Sequence, residues 1–569
     1  MTSATAPESK SLLAKIARRP EWIGALIALI AFLALIAAVD PRHEFPVEDD
    51  WDYSKTVLNL LQTGVFHRLE VTQATVVFPA MWGALFAKAL GYSFTTLRLS
   101  TLALAFGALM FFHALLGELE FDVPRRLLAT LALMIAPAFV YLAFSFMTDI
   151  AFLFGFVGAL YFYARGWRRG SVHLALLGST LAALAFLARQ LGAVIPLVFA
   201  VFVWARSRAS APALMLRWLL AGTAIPLAAV GAYFLWTQFL GGANWADRTR
   251  TLNGTLGFWL RLDTAGVVGR RYVIAAATIG LYVFPLWLAS IPAIFAASHG
   301  WVNSARWQKA LIGLLAAVFL IALLRLALRG EWFPYLTDIL TRRGLRPYLA
   351  YFAYEMGAHR PLVFPIEVSV GLTIAGGALG LILSALIVGQ LKRRLTPELA
   401  LVYGMTLAVA VPALTFFTYF ERYLLPLMPG AIVLLLKVTR RARFSLRAGL
   451  AGFFIVAIFS VVLMRDYFAW NQVRWDAARA LLATGVPVEN IDGGYEWDGW
   501  HLYETSVAYI RAHGLEMAID PWKHVLDPEF IFAFQAPPGY GVVGELKFAT
   551  PLRAGWTDRL YLLRREAGP

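Results

Sequence analysis

Long apolar stretches dominate this chain and constrain its fold more than any other feature. Crossing the hydrocarbon core of a bilayer takes roughly 20 residues of helix. Thirteen segments are apolar enough to be predicted as spans, at residues 22–39, 96–117, 127–144, 149–164, 171–188, 190–205, 213–236, 273–297, 308–328, 365–389, 397–419, 422–437 and 446–465. The sequence therefore predicts an all-α polytopic membrane protein.

The composition supports a membrane protein and argues against a nucleic-acid partner. Of the 569 residues, 60% are hydrophobic, whereas soluble domains are about half apolar. The net charge is +15, but the basic residues form short clusters between apolar runs, which is typical of membrane topology. The chain has no cysteine, which excludes disulfides and thiolate metal sites.

The basic clusters also predict the topology. Every second loop is basic, and these loops are expected in the cytoplasm together with the N-terminal segment 1–21. Residues 40–95, 237–272, 329–364 and 466–569 are then extracytoplasmic. The first apolar segment is long for a signal peptide and lacks a clear cleavage site, so we expect it to be retained. These features, with the compact outer domain, favour the inner membrane of a bacterium, with an archaeal source as the alternative.

The first outer loop, residues 40–95, has its own helical pattern. Apolar positions recur from Tyr53 to Leu61 at helical spacing, with polar residues between them, and Gly64 follows. This predicts an amphipathic helix that lies in the membrane interface. A second, more apolar helix is predicted at about 79–90.

The chain changes character after the last apolar segment. We predict a transmembrane domain at 22–465 and a small extracytoplasmic mixed α/β domain at 466–569. Residues 472–484 look helical, and a turn follows at 492–494. Short strands are predicted around 529–534, 541–548 and 558–563.

Carboxylates stand at two outer positions beside predicted spans. Asp49 and Asp50 precede the amphipathic helix, and Asp149 begins the fourth span. Each could simply cap a helix, because a carboxylate accepts the free N–H groups of a first turn. However, the first loop has more acids than one cap needs, and an ionisable group at a span entrance is a functional-site hypothesis.

Arginines are found on the same outer side. Arg189 and Arg422 lie in tight turns between spans, where they could bind a phosphate. The alternatives are that Arg189 extends to the interface and that Arg422 pairs with Glu421. A further basic patch in the loop 329–364 suits an anionic lipid-phosphate substrate and consists of Arg329, Arg342, Arg343, Arg346 and Arg360.

Trp497 and Trp500 have two interpretations. They could be platforms on which a sugar stacks, or they could be core or interfacial aromatics. The chain has no P-loop, no dinucleotide-binding glycine motif, no nucleophile elbow and no zinc-ligand set.

Four segments together resemble one enzyme group. EDDWDY at 48–53, MTD at 147–149, FLARQLG at 186–192 and RYLLP at 422–426 occur in the order found in GT-C-fold glycosyltransferases that use a polyprenyl-phosphate sugar. The pattern is most similar to the protein O-mannosyltransferase and aminoarabinose transferase group. The resemblance covers residues 20–470, and only the combination of motifs is specific.

The resemblance implies roles for individual residues. Asp49 corresponds to the catalytic acidic residue, Asp50 to its neighbour and Asp149 to the second acidic motif. The candidate donor-phosphate ligands, chosen for their charge and outer position, are Arg189 and Arg422, with Arg342, Arg343 and Arg360 from the basic patch. Candidates for substrate contact are Tyr53, Gln73, Tyr423, Trp497 and Trp500. The chain departs from the pattern at Gln73, near a lysine of the aminoarabinose transferases, and at Arg189, where lysine is common.

These roles predict an inverting single displacement. Asp49 would accept the proton of the acceptor hydroxyl, and arginines would hold the leaving phosphate. A divalent metal on Asp49 and Asp50 is an additional hypothesis. The donor would be a polyprenyl-phosphate sugar, and the acceptor a glycan, glycolipid or protein.

Two other classes remain open at this point. A lipid or sugar transporter or flippase would also have many spans, but it would be expected to carry ionisable groups in mid-span and two symmetric halves. A non-catalytic envelope scaffold would tolerate the loss of Asp49 and Asp149 together.

Overall fold

The helical segments expected from the sequence account for most of the structure. The computed structural model describes residues 20–207, 212–239, 245–261, 263–301, 305–336, 338–346, 355–391, 394–416, 418–440, 442–517 and 520–566. Residues 1–19 of the predicted cytoplasmic segment lie outside these ranges.

Helices form the membrane region. The α-helices are α1 Pro20–Val39, α2 Asp50–Thr63, α3 Val77–Leu90, α4 Phe94–Glu118, α5 Val123–Met134, α6 Pro137–Ala143, α7 Thr148–Arg169, α8 Val172–Ala188, α9 Val194–Arg206, α10 Pro212–Phe239, α11 Trp245–Leu260, α12 Thr264–Tyr282, α13 Phe284–Trp301, α14 Arg306–Leu328, α15 Ile366–Gln390, α16 Pro397–Thr415, α17 Met428–Thr439, α18 Leu446–Ala483 and α19 Tyr495–Ala512.

The number of spans differs from the predicted thirteen. In the described parts of the chain, nine helices are long and apolar enough to cross a membrane, and eleven spans result if two bent pairs each count once. The pairs α5–α6 and α12–α13 bend by 65° and 74°. The remaining two predicted spans are the shorter helices α8 and α9, of 17 and 13 residues. The chain is thus a multi-pass membrane protein, as expected.

Glycine allows close packing of α7 against α8. A Cβ on Gly155 would lie 2.7 Å from the backbone nitrogen of Ala185 and 2.7 Å from the carbonyl oxygen of Leu181. Small residues let membrane helices approach closely, and this contact sets the distance between the two helices. Asp149 begins the first of them, and Arg189 follows the second.

The first outer loop is ordered as predicted. Helix α2 ends at Gly64, whose φ of 73° is left-handed, and α3 covers the second predicted helix. The chain before α2 is fixed by Arg98 of α4, which donates to the carbonyl oxygens of Pro41, His43 and Phe45 at 2.8–2.9 Å. Arg98 is buried, so this loop is attached to the bundle rather than free in the interface.

The C-terminal region contains a small sheet. Its strands are β3 Ile491–Asp492, β4 Phe530–Ala533, β5 Tyr540–Ala549 and β6 Thr557–Arg565. Earlier in the chain, the two short strands β1 Leu340–Thr341 and β2 Gly344–Leu345 form a separate hairpin. The order is β3-β4-β6-β5, with β3 and β4 parallel and the other pairs antiparallel. The three strands predicted from sequence are β4, β5 and β6.

No flexible linker separates this region from the membrane helices. The predicted boundary between residues 465 and 466 falls inside α18, which continues to Ala483. Trp470 of this helix packs edge-on against Phe534, which follows β4, at 6.1 Å. The C-terminal region is therefore connected to the bundle by a continuous helix, and its independence as a domain stays a prediction.

We predict that Gly155→Ala destabilises the protein. The added methyl group meets backbone atoms that cannot rotate away, so overpacking should cost about 1–3 kcal/mol. Thermal unfolding in detergent measures the change. Gly371→Ala in α15 is the control, because nothing lies within 4 Å of its Cβ position. Equal melting temperatures for the two variants would contradict the close contact.

Candidate active site

The acidic cluster lies where α2 begins. Glu48 has a left-handed φ of 59°, and it is buried together with Asp50 and Asp52. Non-glycine residues rarely adopt this conformation, and such backbone strain is concentrated at functional sites. The turn directs successive carboxylates to different partners.

Glu48 is held by two arginines. Its carboxylate forms an ion pair with Arg346 and accepts from Arg422 Nη1 at 3.1 Å and from Tyr141 Oη at 3.3 Å. The side chain is 1% exposed. Burial raises the pKa of Glu48 to about 7, and the two arginines oppose that shift. A buried carboxylate with this many donors is held in one position, which places both guanidinium groups.

Asp49 does not act as a helix cap. It occupies the N-cap position of α2, but its side chain accepts no backbone N–H there. Instead, Oδ2 accepts from Arg422 Nη1 at 3.1 Å and Oδ1 accepts from Tyr495 Oη at 2.8 Å. Its side chain is 27% exposed. Asp49 is thus the carboxylate of this group that a ligand can reach.

Asp50 and Asp52 face protein partners. Asp50 accepts the backbone N–H groups of Val47 and of Phe146, the latter at 3.0 Å. Asp52 accepts the hydroxyl of Thr72 at 2.6 Å. The resemblance implies that Asp50 is the acidic neighbour of the catalytic residue, but its contacts attach the first outer loop to the turn before α7.

Asp149 and Arg189 form a second ion pair beside the first. Asp149 is buried and lies within electrostatic reach of Asp49 and Arg422. The Arg189 guanidinium lies 5.5 Å from the ring centre of Tyr423. Arg189 therefore has a carboxylate partner at the site, and it does not simply extend to the interface.

The loop before α3 contacts the turn that follows α8 and contains Arg189 and Gln190. The carbonyl oxygen of Gln73 accepts from Gln190 Nε2 at 2.5 Å, and Thr75 donates to the carbonyl of Phe186 at 2.7 Å. Gln73 thus contacts Gln190 through its backbone, and its role as a substrate contact stays a prediction.

Arg422 lies in the non-α-helical segment between α16 and α17. Residues Glu421–Leu427 form a 3₁₀ helix that contains Pro426, and this irregular turn directs the guanidinium toward α2. Glu421 does not pair with Arg422. It accepts from the hydroxyl of Tyr282 and from the backbone N–H of Leu340 at 3.0 Å.

The basic patch of the loop 329–364 divides into two groups. Arg346 reaches the cluster and also lies 3.8 Å from Asp338. Arg360 points elsewhere: it is buried and forms two hydrogen bonds to Asp466 at 2.6 and 2.8 Å and one to Asp558. Arg343 donates to the carbonyl oxygen of Arg360. Arg343 and Arg360 thus have structural contacts, contrary to the role expected for them, and Arg342 lies with Arg343 in the hairpin turn.

The two candidate tryptophans of the C-terminal region pack against other aromatic rings. Trp497 is fully buried, 4.9 Å from Trp475, and Trp500 is partly buried, 5.0 Å from Phe94. The core interpretation therefore fits Trp497, and the sugar-stacking one does not. Tyr53 is buried beside the acids.

The pKa values of Asp49 and Asp52 are shifted in opposite directions. Burial alone would raise the pKa of Asp49, but Arg422, Arg346 and the Tyr495 hydrogen bond outweigh it and hold that pKa below its usual value. Burial raises the pKa of Asp52 to about 8, although the hydrogen bond from Thr72 and the charge of Arg68 oppose the shift. The arginines and Tyr495 thus favour the ionised form of Asp49, whereas burial favours the protonated form of Asp52.

Some buried polar atoms at the site lack a partner among the described residues. They are Asp149 Oδ2, Asp338 Oδ2 and Arg422 Nε. Buried polar groups are normally hydrogen-bonded, and exceptions at one place indicate a site for water or a polar ligand. Such a ligand would meet both carboxylates and a guanidinium group.

The acids do not fit a metal ion well. Within the described ranges, no group of three or more His, Asp or Glu side chains could hold one. Asp49 is bound by Arg422 and Tyr495, and Asp50 by backbone N–H groups, so the two carboxylates do not converge. No step below uses a metal.

Sequence reasoning did not select three residues of this site. Glu48 was within the acidic cluster and Arg346 within the basic patch, but nothing in the local sequence distinguishes them from their neighbours. Tyr495 follows the turn at 492–494, and its contact with Asp49 spans 446 residues of sequence. Only a tertiary contact could reveal it.

No family model matches the chain, and no curated protein matches it significantly. Solved structures are similar over nearly its whole length. The crystal structure of ArnT from Cupriavidus metallidurans bound to undecaprenyl phosphate is 14% identical, with a TM-score of 0.40, over 97% of this chain and 100% of that one. The apo oligosaccharyltransferase of Archaeoglobus fulgidus is 16% identical, with a TM-score of 0.41, over 91% and 62%. At these values the similarity carries no weight for function.

We predict that Asp52→Asn flattens the pH dependence of stability. Because its folded pKa is raised to about 8, wild-type Asp52 contributes stability that is complete below about pH 4 and is lost as the pH rises through 8. The slope it adds is at most about 1.4 kcal/mol per pH unit. Melting temperatures between pH 5 and 8.5 measure it. Asp476→Asn, at an exposed position of α18, should retain the wild-type slope, and a wild-type slope in Asp52→Asn would contradict this assignment.

Proposed function

We propose that this protein is a membrane glycosyltransferase that moves a monosaccharide from a polyprenyl-phosphate carrier to an extracytoplasmic acceptor. One observation carries the proposal: a partly exposed Asp49 lies among buried arginines and, in the described part of the chain, polar atoms without a partner. A hydroxyl acceptor needs a base, and a departing phosphate needs cations. The site offers both.

The displacement needs few protein groups. Asp49 accepts the proton of the acceptor hydroxyl as its oxygen attacks the anomeric carbon. The bond from that carbon to the phosphate oxygen breaks on the opposite side, which inverts the centre and releases the lipid phosphate. Arg189 and Arg422 stabilise the phosphate that departs, and Asp149 holds Arg189 in place.

A cavity lined by residues close in sequence to Asp338 and Glu421 offers space for part of a substrate. It has a volume of about 320 Å³ and is lined by Val267, Arg270, Arg271, Ile274, Leu336 and Tyr419. Its wall residues Leu336 and Tyr419 precede Asp338 and Glu421 by two positions each. This volume is within the range of small-molecule sites.

The cellular location of the site is inferred from the membrane topology that the sequence predicts. We infer that the acidic cluster faces the outside of a bacterial inner membrane, with the N-terminus in the cytoplasm and the C-terminal region outside. The donor class comes from the sequence resemblance, and the acceptor would be an envelope glycan, a glycolipid or a protein.

We predict that Asp49→Asn abolishes transfer. Loss of the base should lower turnover by at least about 100-fold. Purified protein is incubated with a panel of radiolabelled undecaprenyl-phosphate monosaccharides, and release of undecaprenyl phosphate is followed.

Asp476→Asn is the matched control, because it removes an exposed carboxylate and should leave turnover unchanged. Turnover by Asp49→Asn at the wild-type rate would overturn the role of this residue. If no donor were turned over or bound by wild type, the transporter hypothesis would replace the transferase.

We predict that Arg189→Gln weakens binding of undecaprenyl phosphate by about 10-fold or more, because it removes charged hydrogen bonds to the phosphate. The double variant Asp149→Asn/Arg189→Gln avoids an unpaired buried carboxylate and should bind as weakly. Titration in detergent measures the affinity. Arg511→Gln, at an exposed arginine, is the control. Wild-type affinity of the double variant would place the phosphate elsewhere.

A further inference from the structure

The helix α19 begins at the candidate active site. Tyr495, its first residue, donates to Asp49 Oδ1 at 2.8 Å, while Arg422 donates to Oδ2 at 3.1 Å. Each oxygen of the carboxylate thus has a different donor, from a different part of the chain. Two such bonds fix the plane of the carboxylate as well as its position.

The start of α19 is held against the first outer loop by close packing. A Cβ on Gly499 would lie 2.4 Å from the Trp51 ring, so the helix and the indole are in direct contact. The ring of Tyr495 lies 6.3 Å from that of Trp51 and 5.3 Å from that of Trp522, both edge-on. The ring is therefore located by packing, independently of its hydroxyl.

A second contact couples α19 to the cluster. Glu496 is buried, accepts the backbone N–H of Glu48 at 3.3 Å and accepts from Arg474 of α18 at 2.9 Å. Glu48 and Asp49 are adjacent, so α19 binds the strained turn at two successive residues. The C-terminal region thus contacts the site directly.

We propose that Tyr495 is a positioning residue for Asp49, so that the C-terminal region completes the active site. This inference rests on the proposed function. The phenol donates to the carboxylate, favours its ionised form and leaves the remaining lone pairs of Asp49 for the acceptor hydroxyl. Other titratable or charged groups that interact with Asp49 are Glu48, Asp52, Tyr53, Asp149, Arg346 and Arg422. Asp338 and Arg189 interact with members of this group.

The test is Tyr495→Phe, which keeps the ring and removes the hydroxyl. We expect the maximal turnover of the undecaprenyl-phosphate monosaccharide to fall about 10- to 100-fold, because the carboxylate is less well oriented. We also expect the acid limb of the pH–rate profile to move up by about one pH unit, since the ionised form of Asp49 loses a donor. A purely structural role would not move that limb.

Tyr503→Phe is the matched control. This tyrosine is on the same helix and also packs on Trp51, at 5.8 Å, but its hydroxyl accepts from the backbone N–H of Glu70. We expect a wild-type profile. If Tyr495→Phe has wild-type turnover and an unmoved acid limb while Asp49→Asn is inactive, the inference is overturned and the proposed function stands.

A second measurement does not depend on activity. Infrared difference titration, with Asp49→Asn used to assign the Asp49 carboxyl band, gives its midpoint in wild type and in Tyr495→Phe. A midpoint about one pH unit higher in Tyr495→Phe supports the inference. An unchanged midpoint overturns it, whatever the turnover of any donor.

Discussion

The site depends on the two ion pairs that Arg422 forms with Glu48 and Asp49. One guanidinium nitrogen binds two neighbouring carboxylates that are 374 and 373 residues away in sequence. Removing one partner of a buried ion pair costs about 3–5 kcal/mol, since the other charge is left uncompensated. The first outer loop, the break before α17 and the segment with Arg346 are therefore held in one arrangement, and the C-terminal helix α19 packs onto it.

The membrane explains why this arrangement forms at the ends of helices. Charged groups are costly inside hydrocarbon, and irregular backbone is tolerated only where it is buried in protein or lines a cavity. Here, Asp149 and Arg189 flank the closely packed pair α7 and α8, and Arg422 lies in the 3₁₀ segment Glu421–Leu427. The short contact at Gly155 and the turn at Pro426 thus bring the charges together without placing them in the middle of a span.

The sequence predicted the elements better than the contacts between them. Periodicity and turn residues located α2, with Gly64 at its end, and the strands β4, β5 and β6. Hydropathy located all thirteen apolar segments, but it could not distinguish a full span from the shorter helices α8 and α9. The role of Asp49 as the catalytic acid stays a prediction, whereas Asp50 and Arg360 have structural partners. Charge and position on a loop are local properties, and the pairing of Arg360 with Asp466 depends on the packed tertiary structure.

The central claim is that the donor phosphate binds between Arg189 and Arg422, next to Asp49. A structure of the protein determined by electron cryo-microscopy with undecaprenyl phosphate tests it directly. The account predicts phosphate density within hydrogen-bonding distance of both guanidinium groups, with the lipid chain leaving between the helices. Phosphate density only in the cavity at Arg270 and Arg271, with the pairs of Asp49 and Asp149 unchanged, would contradict it.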